Sequence, residues 1–309
     1  MTNRNWTYIN NRLVRQGTLL IDLSFLCNWK KQLVEMNACK EGARFEYPNA
    51  LIHYAGAVRC MLKLPFRQAE GLLIGIAEHA PELPAVPDYS TLCRRFNTID
   101  AKLLPHPKKK GNEEFWIAID ASGICVTNRD EWMRKIHRKG RIEKCKGFLK
   151  IHIAVDVKKG EIVAMEITRE NIGDNRMFDA LLFGAINNTG SAVDRLFGDG
   201  AYDAYENFEL CHELGIEPVI PVDENSSTAP PPDTFIQRRR GEPVRRRHVR
   251  EQLKDRKKWK KEKCYGLRWM AETAFAVFKC RFGKYVMARK LRNMQHELLF
   301  KGAIYNQLL

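Results

Sequence analysis

Four residues near the C-terminal end carry the side chains that phosphodiester chemistry needs: Tyr265, Arg268, Glu272 and Lys279, spaced by three, four and seven. At about 100° per residue, an α-helix gathers all four within an arc of roughly 60°. Leu267, Met270, Ala271, Ala274, Val277 and Phe278 fall broadly on the other side. The pattern predicts a helix docked on a core by one face. Its other face then shows a phenol, a guanidinium, a carboxylate and an ammonium in a row. A carboxylate can hold a hard cation, and the cations can hold phosphates. An ordinary charged surface helix has the same pattern, so the rest of the chain has to decide.

The middle of the chain reads as alternating strands and helices, and two strands end in acids. Phe115–Asp120 is a short apolar run closing on Asp120, and Val193–Gly200 places Asp199 likewise. If these strands are neighbours, Asp120 and Asp199 meet at one end of a sheet. The Tyr265 helix can then bring Glu272 beside them. Three converging carboxylates repel one another unless cations fill the gap. Mg²⁺ takes oxygen ligands, and two such ions about 4 Å apart can activate an attacking oxygen and stabilise a leaving one.

Other elements frame this constellation. Phe148–Asp156 and Glu161–Thr168 flank Lys158-Lys159-Gly160, which predicts a β-hairpin. Arg176–Asn188 and Tyr205–Leu214 read as helices, and Ile216–Val222 as a strand. Asp203 is expected to cap a helix and Asp156 to sit in a turn. His137 and His152 are read as strand or loop side chains rather than ligands. Glu224–Asp233, rich in Ser and Pro, is a connector, and Arg134–Lys146 is a basic stretch.

The first hundred residues read as helical, over Leu23–Met36, Asn49–Lys63 and Arg67–His79. After Pro81, Pro84 and Pro87 comes a short helix capped by Asp88 or Ser90 that shows Arg94 and Arg95. A helix-turn-helix that reads DNA would look like this, although the connection is longer than that motif's usual turn. Pro105–Lys110 looks like a linker, giving a helical domain over 1–110 and a catalytic domain over 111–309.

Composition narrows the partner. The net charge of +15 points to a polyanion. Between Ile236 and Lys263, fourteen Lys and Arg stand against four acids. That block, with Arg245, Arg246 and Arg247 at its centre, directly precedes the Tyr265 helix and suits nucleic-acid backbone. No apolar run is long enough for a membrane helix, and Met1–Trp6 lacks the apolar core of a signal peptide, so a cytoplasmic, nucleoid-associated protein is expected. The nine cysteines are scattered without C-x2-C or C-x4-C pairs, which argues against a zinc site or structural disulfides. There is no G-x-S-x-G and no G-x-x-x-x-G-K-[ST], so neither a serine hydrolase nor ATP use is indicated.

The ordered motifs resemble those of DDE transposases of prokaryotic insertion sequences, in the superfamily spanning the insertion-sequence-four and insertion-sequence-five families. Tyr-x2-Arg-x3-Glu-x6-Lys is matched in full by Tyr265, Arg268, Glu272 and Lys279. Ile119-Asp120-Ala121-Ser122-Gly123 resembles the first acid's motif, with Ala121-Ser122 where many relatives have Ser-Thr. Phe197–Asp203 resembles the second, and Asn171-Ile172-Gly173-Asp174 the family's middle segment. The resemblance covers roughly residues 112–290. It implies an α/β fold: a ribonuclease-H-like mixed five-stranded sheet flanked by helices, with an all-α N-terminal domain and a basic insertion at about 223–263. It also implies that Asp120, Asp199 and Glu272 hold two Mg²⁺ or Mn²⁺ ions. Tyr265, Arg268 and Lys279 would contact DNA phosphates near the element's end. The activity implied is cleavage at transposon ends and strand transfer into target DNA, by a homodimer or higher oligomer on double-stranded DNA. A metal-dependent nuclease and a non-catalytic, transposase-derived DNA-binding regulator remain the alternatives.

Overall fold

The computed structural model describes residues 6–101, 114–126, 148–226 and 244–309. The expected linker at Pro105–Lys110, the basic stretch with His137, Cys145, the Pro-rich part of the connector and positions 236–243 of the basic block lie outside the described residues. The chain forms two compact units, one of residues 1–102 with 279–309 and one of residues 103–278.

The first unit is helical: α1 (Trp6–Thr18), α2 (Trp29–Asn37), α3 (Asn49–Leu62), α4 (Phe66–His79), α5 (Tyr89–Phe96) and the C-terminal α11 (Leu291–Gln307). A 3₁₀ turn at Leu19–Ile21 follows α1, and a second, Ser24–Asn28, occupies the start of the region expected to be one helix from Leu23. Leu51, Ile52, Leu73, Leu92, Phe96 and Leu298 form its core. A Cβ at Gly56 would lie 2.7 Å from the Phe96 ring, so only glycine lets α3 come this close. The Asp88 carboxylate accepts from Ser90 N at 2.7 Å and Thr91 N at 3.0 Å, which starts α5. One carboxylate lies deep inside this unit. Glu297 takes Lys301 Nζ at 2.8 Å and has Arg59 at 3.7 Å, and all three are at most 3% exposed.

The second unit is built on strands β1 (Trp116–Val126), β2 (Phe148–Asp156), β3 (Ile162–Arg169), β4 (Arg195–Phe197) and β5 (Glu217–Val219), in the order β3-β2-β1-β4-β5. The first three pair antiparallel, whereas β4 and β5 join β1 in parallel. With helices flanking the sheet, this is the ribonuclease-H-like arrangement. α6 (Phe178–Thr189) lies on β3 and β2, and α7 (Tyr205–Glu213) beside β5. Phe178, Leu181 and Leu182 are fully buried against Ile117, Ile119 and Ala164. Each such side chain contributes about 1.5–3 kcal/mol. The β2–β3 turn is held by Asp156, whose Oδ1 accepts from Lys158 N at 2.8 Å and Lys159 N at 3.3 Å, as a turn acid should. The basic segment folds into α8 (Val244–Lys254) and α9 (Arg256–Glu262). Buried Gln252 ties α8 to the end of β5, donating to Ile220 O at 2.8 Å and accepting from Val222 N at 3.0 Å.

Candidate functional site

The register of β1 and β4 places the two aspartates. Trp116, Ile117 and Ala118 pair with Arg195, Leu196 and Phe197, and there the parallel ladder stops. Asp120 and Asp199 are each two residues further on, so both stand at the same end of the same pair of strands. Strand alternation puts them on the face of Trp116 and Phe197, opposite the Ile117–Ile119 core. β1 itself does not end at Asp120, as the apolar run suggested. It continues to Val126 because β2 keeps offering partners, with Asp120 opposite Ile153 and Cys125 opposite Phe148. β4 ends at Phe197, but Gly198 N still donates to Val219 O at 3.3 Å and the chain stays extended through Asp199; a Cβ at Gly198 would press on the Tyr202 ring at 3.2 Å. Asp199 then caps the 3₁₀ turn Gly200–Tyr202, accepting from Ala201 N at 2.9 Å.

The third acid comes from α10 (Trp269–Phe282). The expectation of one α-helix from Tyr265 to Lys279 needs correction. Tyr265–Arg268 is a 3₁₀ turn that touches β1 and β4, and the α-helix begins only at Trp269. Cys264, at φ +54°, makes the bend into that turn. The buried face of α10 is Ala271, Ala274, Phe275 and Phe278, while Val277 is 38% exposed. Glu272 projects from the other side, 54% exposed, in an ion pair with Arg268. Tyr265 packs on Trp259, with ring centroids 5.9 Å apart. Lys279 lies two turns beyond Glu272 on the same helix.

The electrostatics of Asp120 report what surrounds it. Burial pushes its carboxyl up to about 6; Arg268 and the Ala121 N–H oppose the rise, and Asp199 and Glu272 reinforce it. The structure thus brings Asp120, Asp199, Glu272 and Arg268 into one electrostatic neighbourhood. The donor chemistry, carboxylate oxygens around a half-buried acid, suits a hard divalent cation. The arrangement does not match a finished cation site: among the described residues no three acid, His or Cys side chains are gathered to share an ion. Glu272 is instead engaged by Arg268.

A second cluster gathers Asp174 and His152, which the sequence singled out separately, with Lys150, which it did not. Lys150 donates to Asp174 Oδ1 at 2.8 Å and to Ile172 O at 3.1 Å, linking β2 to the turn before α6. His152, on the same strand, is buried, and burial pushes its imidazole down to about 4. Its Nε2 meets Thr168 Oγ1 at 2.8 Å. It is a structural side chain, as expected. Alternation of Lys150 and His152 on one strand was the available signal, but nothing in the sequence joined it to Asp174.

The expected DNA-contact residues fare unequally. Asp203 does not cap α7, whose N-cap is Ala204. It grips Arg245 in a two-pronged pair, with both distances 2.7 Å. Arg245 also reaches Ser226 Oγ at 3.1 Å, so its guanidinium is spent inside the unit. Arg256 pairs with Glu224 at 2.8 Å, and Lys263 with Glu217 at 2.7 Å. Arg246 is partly buried, while Arg247, Lys254, Lys257 and Lys261 are exposed. In the first unit Arg95 donates to Tyr47 O at 3.1 Å and Asn49 Oδ1 at 2.8 Å, whereas Arg94 is exposed and bonds within its own helix.

Comparison with known proteins gives this site a context. Residues 93–307 match the family described as "Transposase DDE domain", and residues 14–129 match a second family of the same description. Among solved structures, the chain is similar to the piggyBac transposase synaptic complex with hairpin DNA. That likeness has 10% identity and a TM-score of 0.37, over 94% of this chain and 74% of that one. It is also similar to the simian T-cell lymphotropic virus intasome in complex with PP2A regulatory subunit B56 gamma. There the identity is 12% and the TM-score 0.25, over 78% of this chain and 74% of that one. Among the described residues no helix is long and apolar enough to cross a membrane.

Proposed function

The chain belongs to the transposase DDE domain family, and from that premise we propose that it cuts DNA at the ends of an insertion sequence and joins the freed 3′-hydroxyls to target DNA. The observation that carries this reading is the equal register of Asp120 and Asp199 past the β1–β4 ladder, with Glu272 and Arg268 beside them. Asp120, Asp199 and Glu272 are the residues that would hold two Mg²⁺ or Mn²⁺ ions. When bound, such ions would activate the attacking oxygen and stabilise the leaving one.

The remaining work falls to the chain's own cations. Arg268 can grip a phosphate with two parallel hydrogen bonds, holding the scissile group in line for attack. Tyr265 and Lys279 are further candidates for contact with DNA phosphates. Arg247, Lys254, Lys257 and Lys261 on α8 and α9 provide backbone contacts without sequence reading. Arg94 is the outward-facing cation of α5 and the candidate for DNA contact in the first unit. A dimer or higher oligomer on DNA would allow both element ends to be processed together.

The test is a set of near-isosteric substitutions. Asp120→Asn, Asp199→Asn and Glu272→Gln should each reduce cleavage of an end-bearing duplex to background while leaving its binding intact in a gel shift. Near-normal cleavage by any one of them removes that residue from the catalytic set.

A further inference from the structure

The acids are in one neighbourhood, yet among the described residues they are not gathered to share an ion, and one of them, Glu272, is held in an ion pair. Arg268, the last residue of the 3₁₀ turn, reaches Glu272 one helical turn on. The guanidinium is 22% exposed, and the carboxylate it holds is 54% exposed. We propose that Arg268 guards Glu272 in the DNA-free protein, and that a DNA phosphate, by drawing the guanidinium away, releases the carboxylate to a divalent cation. This rests on the reading of Glu272 as a cation ligand.

The physical case has three parts. A cation entering beside an undisplaced guanidinium must break the ion pair and also meets like-charge repulsion. The positive charge of Arg268 falls on Asp120 as well, so the repulsion extends to a second ligand. An ion pair whose carboxylate is half open to solvent is weakened by screening, whereas a phosphate offers the guanidinium a two-pronged, charge-assisted partner. The guard is therefore strong enough to matter and weak enough for DNA to lift. Coupling of this kind is reciprocal, so divalent cations should tighten DNA binding by the same factor that DNA tightens theirs.

The experiment titrates Mn²⁺ into the full-length protein and reads free Mn²⁺ by electron paramagnetic resonance, with and without a duplex taken from the DNA flanking the gene. Arg268→Gln without DNA should bind Mn²⁺ about tenfold more tightly than the wild type, within the usual range of such couplings. The duplex should tighten Mn²⁺ binding more in the wild type than in Arg268→Gln, where only direct phosphate ligation is left to act. Unchanged or weaker Mn²⁺ binding by Arg268→Gln, or equal tightening by DNA in both proteins, overturns the guard. Glu272→Gln separates that failure from failure of the underlying reading. If Glu272→Gln loses Mn²⁺ affinity but Arg268→Gln gains none, the ligand assignment stands and the guard falls. If the double variant keeps the tenfold gain, Glu272 is not a ligand and the assignment itself falls. Should Arg268→Gln melt early, Arg268→Met retains the aliphatic stem and carries the same expectation.

Discussion

Two carboxylates of this chain, Glu297 and Glu272, each pair with a cation four residues away and yet stand in opposite surroundings. Glu297 is 1% exposed and saturated: Lys301 and Arg59 flank it, and the backbone N–H groups of Met287 and Ala288 donate to it at 3.2 and 3.0 Å. Burial alone would raise its carboxyl, but the two cations hold it below the usual range. Glu272 is half exposed, with Arg268 as its one ion-pair partner among the described residues. Charge pairing by itself therefore says little about role. A carboxylate saturated in the interior steadies a fold, and one left under-satisfied beside other acids is available for chemistry.

The comparison is broken most directly by deleting each acid. Glu297→Ala strands two buried cations and should cost about 3–5 kcal/mol, enough to unfold much of the first unit. Glu272→Ala should cost no more than about 1 kcal/mol. Denaturant titration of both variants checks this, and equal losses would erase the distinction. Asp120→Asn should show the reverse of Glu297→Ala. Cleavage is lost, but stability at neutral pH holds or rises, because a charge penalised by burial, and further repelled by Asp199 and Glu272, is gone.

The pH dependence sharpens the contrast. The Asp120 carboxyl is raised in the folded protein, from the ordinary carboxylate range to about 6. Between those values the folded state holds a proton that the unfolded state has released. Its contribution is thus fully present below the ordinary value and is lost as pH rises through about 6. Glu297, held low, contributes above the ordinary carboxylate range and loses its share only on acidification. Melting curves of the wild type and Asp120→Asn, followed from the ordinary carboxylate range up to neutral pH, should differ by that falling component, and parallel curves would remove it.

The smallest effect divides the basic segment along the same line. Replacing exposed Arg247, Lys254 or Lys257 by Gln should lower the magnitude of the salt slope of DNA binding by about 0.9 for each phosphate no longer neutralised. Arg245→Gln should lower stability through Asp203 and leave that slope alone. A salt titration with these variants shows whether internal pairing or mere charge decides which cations reach DNA.

How much was legible differed by element. The helix Asn49–Leu62, the β-hairpin, the Asp88 cap and the Asp156 turn followed from local chemistry that the sequence spells out. Asp203 was misread because a carboxylate before a helix is a good cap, and no local pattern announces an arginine forty-two residues away. The continuous helix from Tyr265 failed for a related reason: periodicity cannot distinguish α from 3₁₀ over four residues, and packing on β1 and β4 selects the tighter turn.

The sequence by itself determined the ingredients: three acids in order, the Tyr265–Lys279 spacing, the excess of positive charge, and the local elements, all set by covalent order and short-range preference. Tertiary structure alone decided which strands are neighbours, and hence that Asp120 and Asp199 share one end of a ladder. It also decided which cations are spent indoors on Asp203, Glu217 and Glu297 and which remain for a partner. Those outcomes depend on distances between residues far apart in the chain and on how much water each charge keeps, and neither is written in any local run of residues.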